Sequence, residues 1–132
     1  MLFRSKVAKR LVEKYHFQPA ECPKLYKFDY VFTKEGYQPI VYVEIRCRNV
    51  EWGAYPTIFM NAMKFAHGMY AVRDGNKFLF VVQDKLKNIH WYSAKKEHLP
   101  KIRNVWGGRN NMRDPLDREW VVEIHIELFK PL

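Results

Sequence analysis

Serine and cysteine are scarce in this chain, and long apolar runs are missing altogether. Ser5 and Ser93 are the only serines, and neither sits in the glycine-flanked elbow that presents a nucleophile. Cys22 and Cys47 are the only cysteines; they form no CxxC pair and have no histidine at zinc spacing, which argues against a structural zinc site. The five histidines are scattered, without the i,i+4 pair of a helix-borne zinc centre. The opening stretch "MLFRSKVAKRLVEKY" lacks the unbroken apolar core of a secretory signal, so free thiols in a reducing cytoplasm are expected, although one disulfide is chemically open. No run approaches the roughly 20 apolar residues of a membrane-spanning helix. Acidic side chains are also few, 14 against 23 basic, for a formal charge of +9. A folded domain that basic suits a polyanionic partner, most simply nucleic acid, with an anionic membrane surface the other candidate. An ordinary soluble basic protein would carry the same charge.

What is present suits one folded unit spanning residues 1–132. At 132 residues and 48% hydrophobic, the chain can bury a single core. Leu2 to Tyr15 has the spacing of a basic amphipathic helix, with Lys6, Lys9 and Arg10 on its polar side and Glu13 its only acid. "QPAECP", with two prolines, predicts a loop. "KLYKFDYVF" and "IVYVEIRCR" alternate with period two and flank the turn-forming "TKEGYQP", which predicts an antiparallel hairpin. Pro56 suits the first turn of a helix over "TIFMNAMKFAHGMYAV", apolar around most of its circumference apart from a narrow stripe of Thr57, Asn61, Lys64 and Gly68. "KFLFVVQ" predicts a strand covered on both faces, and "NIHWYSA" another. Residues 95 to 119 are loop-like, and "WVVEIHIELF" predicts a final alternating strand. The order α-β-β-α-β-β-β describes an α/β (α+β) fold, a central mixed sheet flanked by helices.

"VYVEIRCR" carries the most information about chemistry. Val41, Val43, Ile45 and Cys47 fall on one face; Tyr42, Glu44, Arg46 and Arg48 fall on the other. A solvated, salt-bridged outer face would give the same pattern. Asp29 lies near the polar face of the preceding strand, so two carboxylates and a guanidinium come from adjacent strands. Hard oxygen donors of this kind suit Mg²⁺, and a neighbouring cation suits a phosphoryl group or developing negative charge. Trp52, Tyr55 and Trp106 would stack on bases if exposed, though large aromatics more often pack.

Asp29, Glu44 and Arg46, set on a hairpin ahead of a helix and an apolar strand, resemble the PD-(D/E)xK nuclease superfamily with its restriction-endonuclease-like fold, in particular its small phage-encoded members. The resemblance covers residues 1 to 92 most clearly, with "GGRNNMRDP…VVEIHI" beyond. It implies a DNA nuclease, endo- or exonuclease, of phage DNA processing or recombination, dependent on Mg²⁺ or Mn²⁺. It implies that Asp29 and Glu44 bind the metal with the Ile45 backbone carbonyl, and that a first-helix glutamate, here Glu13, joins them. Arg46 stands where the family has its lysine, and arginine does not give up its proton near neutral pH. Some members move that lysine onto the following helix, where Lys64 is the candidate. Lys27, Arg48, Lys6, Lys9, Arg10 and Arg109 are the expected contacts to the DNA backbone. A homodimer would suit cutting of both strands. A catalytically inactive nucleic-acid-binding module on the same fold is the alternative.

Overall fold

The computed structural model describes residues 2–22, 28–107 and 119–132. Its spine is β3 (Tyr37–Cys47), the longest strand. On one side β3 pairs antiparallel with β2 (Tyr30–Lys34), through a turn in which Gly36 takes the positive φ of 78° that a tight reversal needs. On the other it pairs in parallel with β5 (Lys77–Gln83), which becomes possible because the intervening chain makes a long crossover. With β1 (Gln18–Glu21), β6 (Ile89–Ser93) and the two-residue β9 (Lys130–Pro131), the sheet runs β1-β2-β3-β5-β6-β9.

Both faces of this sheet are covered, and the strand alternation sorts them. Val7 and Leu11 of helix α1 (Leu2–Tyr15) pack on Tyr30, Phe32, Val41, Val43, Ile45 and Val81. The opposite face carries Phe78, Phe80, Val82 and Tyr92, packed against helix α2 (Ala62–Arg73) and a second sheet. That second sheet has three antiparallel strands in the order β4-β8-β7: β4 (Thr57–Asn61), β8 (Glu119–His125) and β7 (Arg103–Gly107). The mixed α+β architecture and the doubly buried β5 are as the sequence predicts.

The second sheet departs from expectation. Residues 57–61 form a strand, with Ile58 and Met60 buried at period two, and the helix begins only at Ala62. Pro56 precedes a strand here; the helix start is marked instead by Asn61, whose Oδ1 accepts from the Met63 and Lys64 amides at 2.9 and 3.1 Å. The helix is also less buried than its composition suggests, since it faces the sheets on one side only and leaves Met63 and Tyr70 more than half exposed. Three further segments differ. "QPAE" is a strand in spite of Pro19, because a sheet edge does not require every amide. The loop-like stretch after Lys95 contains a 3-10 turn (Lys96–Lys101) and β7. The closing strand stops at His125 and turns through Ile126–Leu128.

The β3–β4 connection is pinned by packing. Trp52 stacks on His90 (centroids 3.8 Å, 9° between planes) and meets Phe129 edge-on, while the Lys85 amide donates to the Val50 carbonyl. His90 is itself held by the buried Asp84, which also accepts from the Leu86 and Asn88 amides.

Gly68 sets how closely α2 lies on the first sheet. A Cβ at this position would stand 2.2 Å from a Phe78 ring carbon, and Phe78 is fully buried. Gly68→Ala should therefore destabilise the protein by about 1–3 kcal/mol through overpacking. At an exposed interior helix position the same change would stabilise by about 1 kcal/mol. Urea unfolding of the two proteins gives the sign directly; a variant as stable as the parent would contradict the close approach.

Candidate active site

The site lies where the first sheet ends and α2 begins. β2 reaches only to Tyr30, opposite Val43, and the Asp29 amide still bonds the Val43 carbonyl at 3.1 Å. The next β3 amide on that edge, Ile45, would lack a ladder partner; the Asp29 Oδ2 accepts it at 2.9 Å. Asp29 is thus placed by the strand end itself, beside Glu44.

Glu44 is not on a solvated face. Its side chain is 1% exposed, beneath α2. Lys64 Nζ donates to its Oε2 at 2.6 Å, and Arg46 Nε stands 3.9 Å from the same oxygen. Its Oε1 is buried without a hydrogen-bond partner among the described residues. Burial raises the Glu44 pKa above its ordinary value; the Lys64 hydrogen bond opposes this, the Asp29 charge adds to it, and the charges of Lys64 and Arg46 oppose it. The net upward direction means that desolvation and carboxylate repulsion outweigh the two cations.

Lys64 reaches Glu44 because it lies on the helix face that Gly68, one turn on, brings against Phe78. Arg46 and Lys64 are about one-third exposed, so each also reaches solvent. Together with Arg48, Asn61 and Glu119 they line a pocket of about 360 Å³ beside Glu44. Arg48 is fixed there by its own amide on the Gln83 carbonyl and by Nη2 on the Phe59 carbonyl of β4. Three cations against one acid give this pocket a net positive charge.

The other expected residues lie elsewhere. Glu13 is not brought to the carboxylate pair. It is exposed beside Arg10, Lys14 and Leu132, and Leu132 bonds β6 through Ile89, so this corner lies strands away from Asp29. Its helix covers the face of β3 opposite Glu44. Lys6, Lys9 and Arg10 are exposed on that same helix. Lys27 and Arg109 lie outside the described residues. Trp52 is packed, whereas Tyr55 and Trp106 are 53% and 51% exposed. The Cys22 amide bonds the Asp29 carbonyl, and burial with the charges of Asp29 and Glu21 pushes its thiol up, which disfavours the thiolate.

Sequence reasoning did not find the roles of Asn61 and Glu119. Asn61 had a usable signal, a capping residue immediately before "AMKFAHGMY". Glu119 had none, because its place depends on a strand pairing 58 residues distant in sequence, with its Oε2 accepting from Asn61 Nδ2 at 2.9 Å.

A sheet flanked by helices, with one carboxylate just before β2, one within β3 and adjacent cations, is the architecture of restriction-endonuclease-like nucleases. The chain belongs to the family described as "Phage putative PDDEXK endonuclease", whose model matches residues 4–132. Among solved structures it is similar to Hjc, a Holliday junction resolvase from the archaeal hyperthermophile Archaeoglobus fulgidus. The TM-score is 0.52 at 10% identity, over 91% of this chain and 88% of that one. At that identity the likeness concerns the fold. No curated protein matches in sequence. No helix among the described residues is long and apolar enough to cross a membrane.

Because ionised Glu44 costs the fold, the metal-free protein should not lose stability on Glu44→Gln. A carboxyl whose folded pKa is raised stabilises most below its unfolded value and loses that contribution as pH rises through the folded value. Glu44→Gln should thus equal or exceed the parent at pH 7 in EDTA, the difference opening above the ordinary value of 4.5. Lys64→Met, which strands the buried carboxylate, should cost about 3 kcal/mol. Denaturant titrations from pH 4 to 8 check both; a large loss for Glu44→Gln would contradict the reading.

Proposed function

We propose that this protein is a divalent-cation-dependent deoxyribonuclease in which Lys64, carried by α2, fills the lysine role that Arg46 leaves open. The observation that carries the reading is the 2.6 Å contact from Lys64 Nζ to the buried Glu44 Oε2. No group of three or more His, Cys, Asp or Glu side chains with metal-ligand placement occurs among the described residues. The donors nevertheless fit a hard cation: two carboxylates, one with a buried oxygen that has no donor among the described residues, leave room for a backbone carbonyl, water and phosphate. Asp29, Glu44 and the Ile45 carbonyl would hold Mg²⁺ or Mn²⁺. When bound, the ion supplies Lewis-acid polarisation of a phosphoryl oxygen and a more acidic water.

The chain's own residues do the rest. Arg46 and Arg48, permanently charged, hold phosphate oxygens in the positively charged pocket. Lys64, an ammonium able to release a proton, orients the attacking water beside Glu44 and stabilises the negative charge that develops in the transition state. Binding rests on phosphate contacts, so it weakens with salt and carries little base readout. The α1 cations stand across the sheet from Glu44 and would meet DNA only away from the scissile bond. The family description supports phage DNA processing in the host cytoplasm, and cutting both strands would call for a homodimer.

Labelled linear, circular, single-stranded and branched DNA, incubated with Mg²⁺, Mn²⁺ or EDTA, tests the proposal. Cleavage should need metal and vanish in Asp29→Ala and Glu44→Ala. Lys64→Ala should lower the single-turnover rate about 100-fold or more, and well beyond the loss in Arg46→Ala. No cleavage by folded protein, with salt-dependent DNA binding that survives the carboxylate substitutions, would instead identify an inactive DNA-binding module.

A further inference from the structure

Asn61 joins three things through one side chain. It ends β4 and directly precedes Ala62, so the register of the second sheet fixes where α2 starts. Its Oδ1 accepts both the Met63 and the Lys64 amides, and its Nδ2 donates to Glu119 Oε2 at 2.9 Å. An asparagine amide has one accepting and one donating end, so with Oδ1 committed to the helix the nitrogen is left to donate away from it. Glu119, two residues along β8 from Val121, the ladder partner of Asn61, supplies the acceptor. The Glu119–Asn61 pair therefore holds the first turn of α2 by the backbone amide of the very residue whose side chain reaches Glu44.

The required precision is high. Lys64 is about one-third exposed and carries four rotatable side-chain bonds, so neither burial nor stiffness fixes its ammonium on Glu44. What can be fixed is the backbone from which it starts. Gly68 sets the depth of the helix against Phe78, and Asn61 sets its beginning and its rotation.

From this geometry we infer that Asn61, oriented by Glu119, is a positioning residue that acts through Lys64 in the nuclease reaction. The inference rests on the assignment of Lys64 made under Proposed function. Neither Asn61 nor Glu119 need touch the reacting atoms. Asn61→Asp keeps the oxygen that accepts the helix amides but loses the donor and sets a charge against Glu119. Glu119→Gln keeps an acceptor for Asn61. Asn61→Ala loses both links.

A double-mutant cycle separates positioning from plain stability. Single-turnover cleavage, at a temperature where every variant is folded and at saturating enzyme, should fall about tenfold in Asn61→Ala. Glu119→Gln should retain most of the rate, and Asn61→Asp should fall between. In the Lys64→Ala background, Asn61→Ala should cause no further loss. Losses that multiply in the double variant would overturn the inference.

A second readout does not depend on cleavage. In metal-free protein, acylation of Lys64 by a water-soluble succinimidyl ester, followed by mass spectrometry, should speed up severalfold in Asn61→Ala, as in a Glu44→Gln control. Unchanged labelling in Asn61→Ala beside faster labelling in the control would overturn the positioning role even if the enzyme cuts DNA. Faster labelling in both, in a protein that never cuts, would uphold the placement of Lys64 and reject the catalytic reading alone.

Discussion

An almost fully buried glutamate in the middle of a sheet is tolerated only when something satisfies its charge. Glu44 is that residue, and much of the architecture around it bears on how the charge is met. One oxygen receives the Lys64 ammonium; the other has no donor among the described residues. The arrangement is unfavourable to an isolated fold, which is why its pKa moves up. Sites that bind cations or develop charge commonly store such unfavourable terms, and stability is met elsewhere, here by two clusters of aliphatic and aromatic side chains on the two faces of the sheet.

That single contact sets demands on residues well away from it. α2 must lie close to β5, which a glycine at position 68 allows and any larger side chain would prevent. The helix must begin at a fixed point, which the β4 strand and its terminal Asn61 determine. The second sheet must in turn be held against the first, through Trp52 on His90 and Arg48 on the Phe59 carbonyl. The short strand end at Asp29 completes the pair of carboxylates by taking over a hydrogen bond that the ladder no longer provides.

The inner strands β2, β3, β5 and β6 of the first sheet were legible because apolar patterning and turn residues are local signals, whereas the edge strands β1 and β9 were not. The sequence also brought out Asp29, Glu44 and Arg46, since strand neighbours follow from a hairpin. Lys64 became a candidate through the family resemblance, its place on the polar stripe of the helix being compatible, although Thr57 in that stripe belongs to a strand. Of the second sheet only β8 was legible: Pro56 reads equally as a helix start or a strand approach, and β4 becomes a strand only through pairing with β8, 60 or more residues on. The burial of Glu44 was hidden for the same reason. Alternation assigns it to a face and says nothing of what covers that face. Glu13 was a candidate through the resemblance alone, since a lone acid on a basic helix carries no information about which side of the sheet the helix will cover.

Manganese-edge anomalous diffraction from crystals grown with Mn²⁺ addresses the central claim most directly. The account predicts a peak held by Asp29 and Glu44, with Lys64 shifted from its contact on Glu44 Oε2 towards the positively charged pocket. A folded protein with no peak there, or with manganese bound elsewhere and Lys64 still on Glu44 at saturating metal, would contradict it.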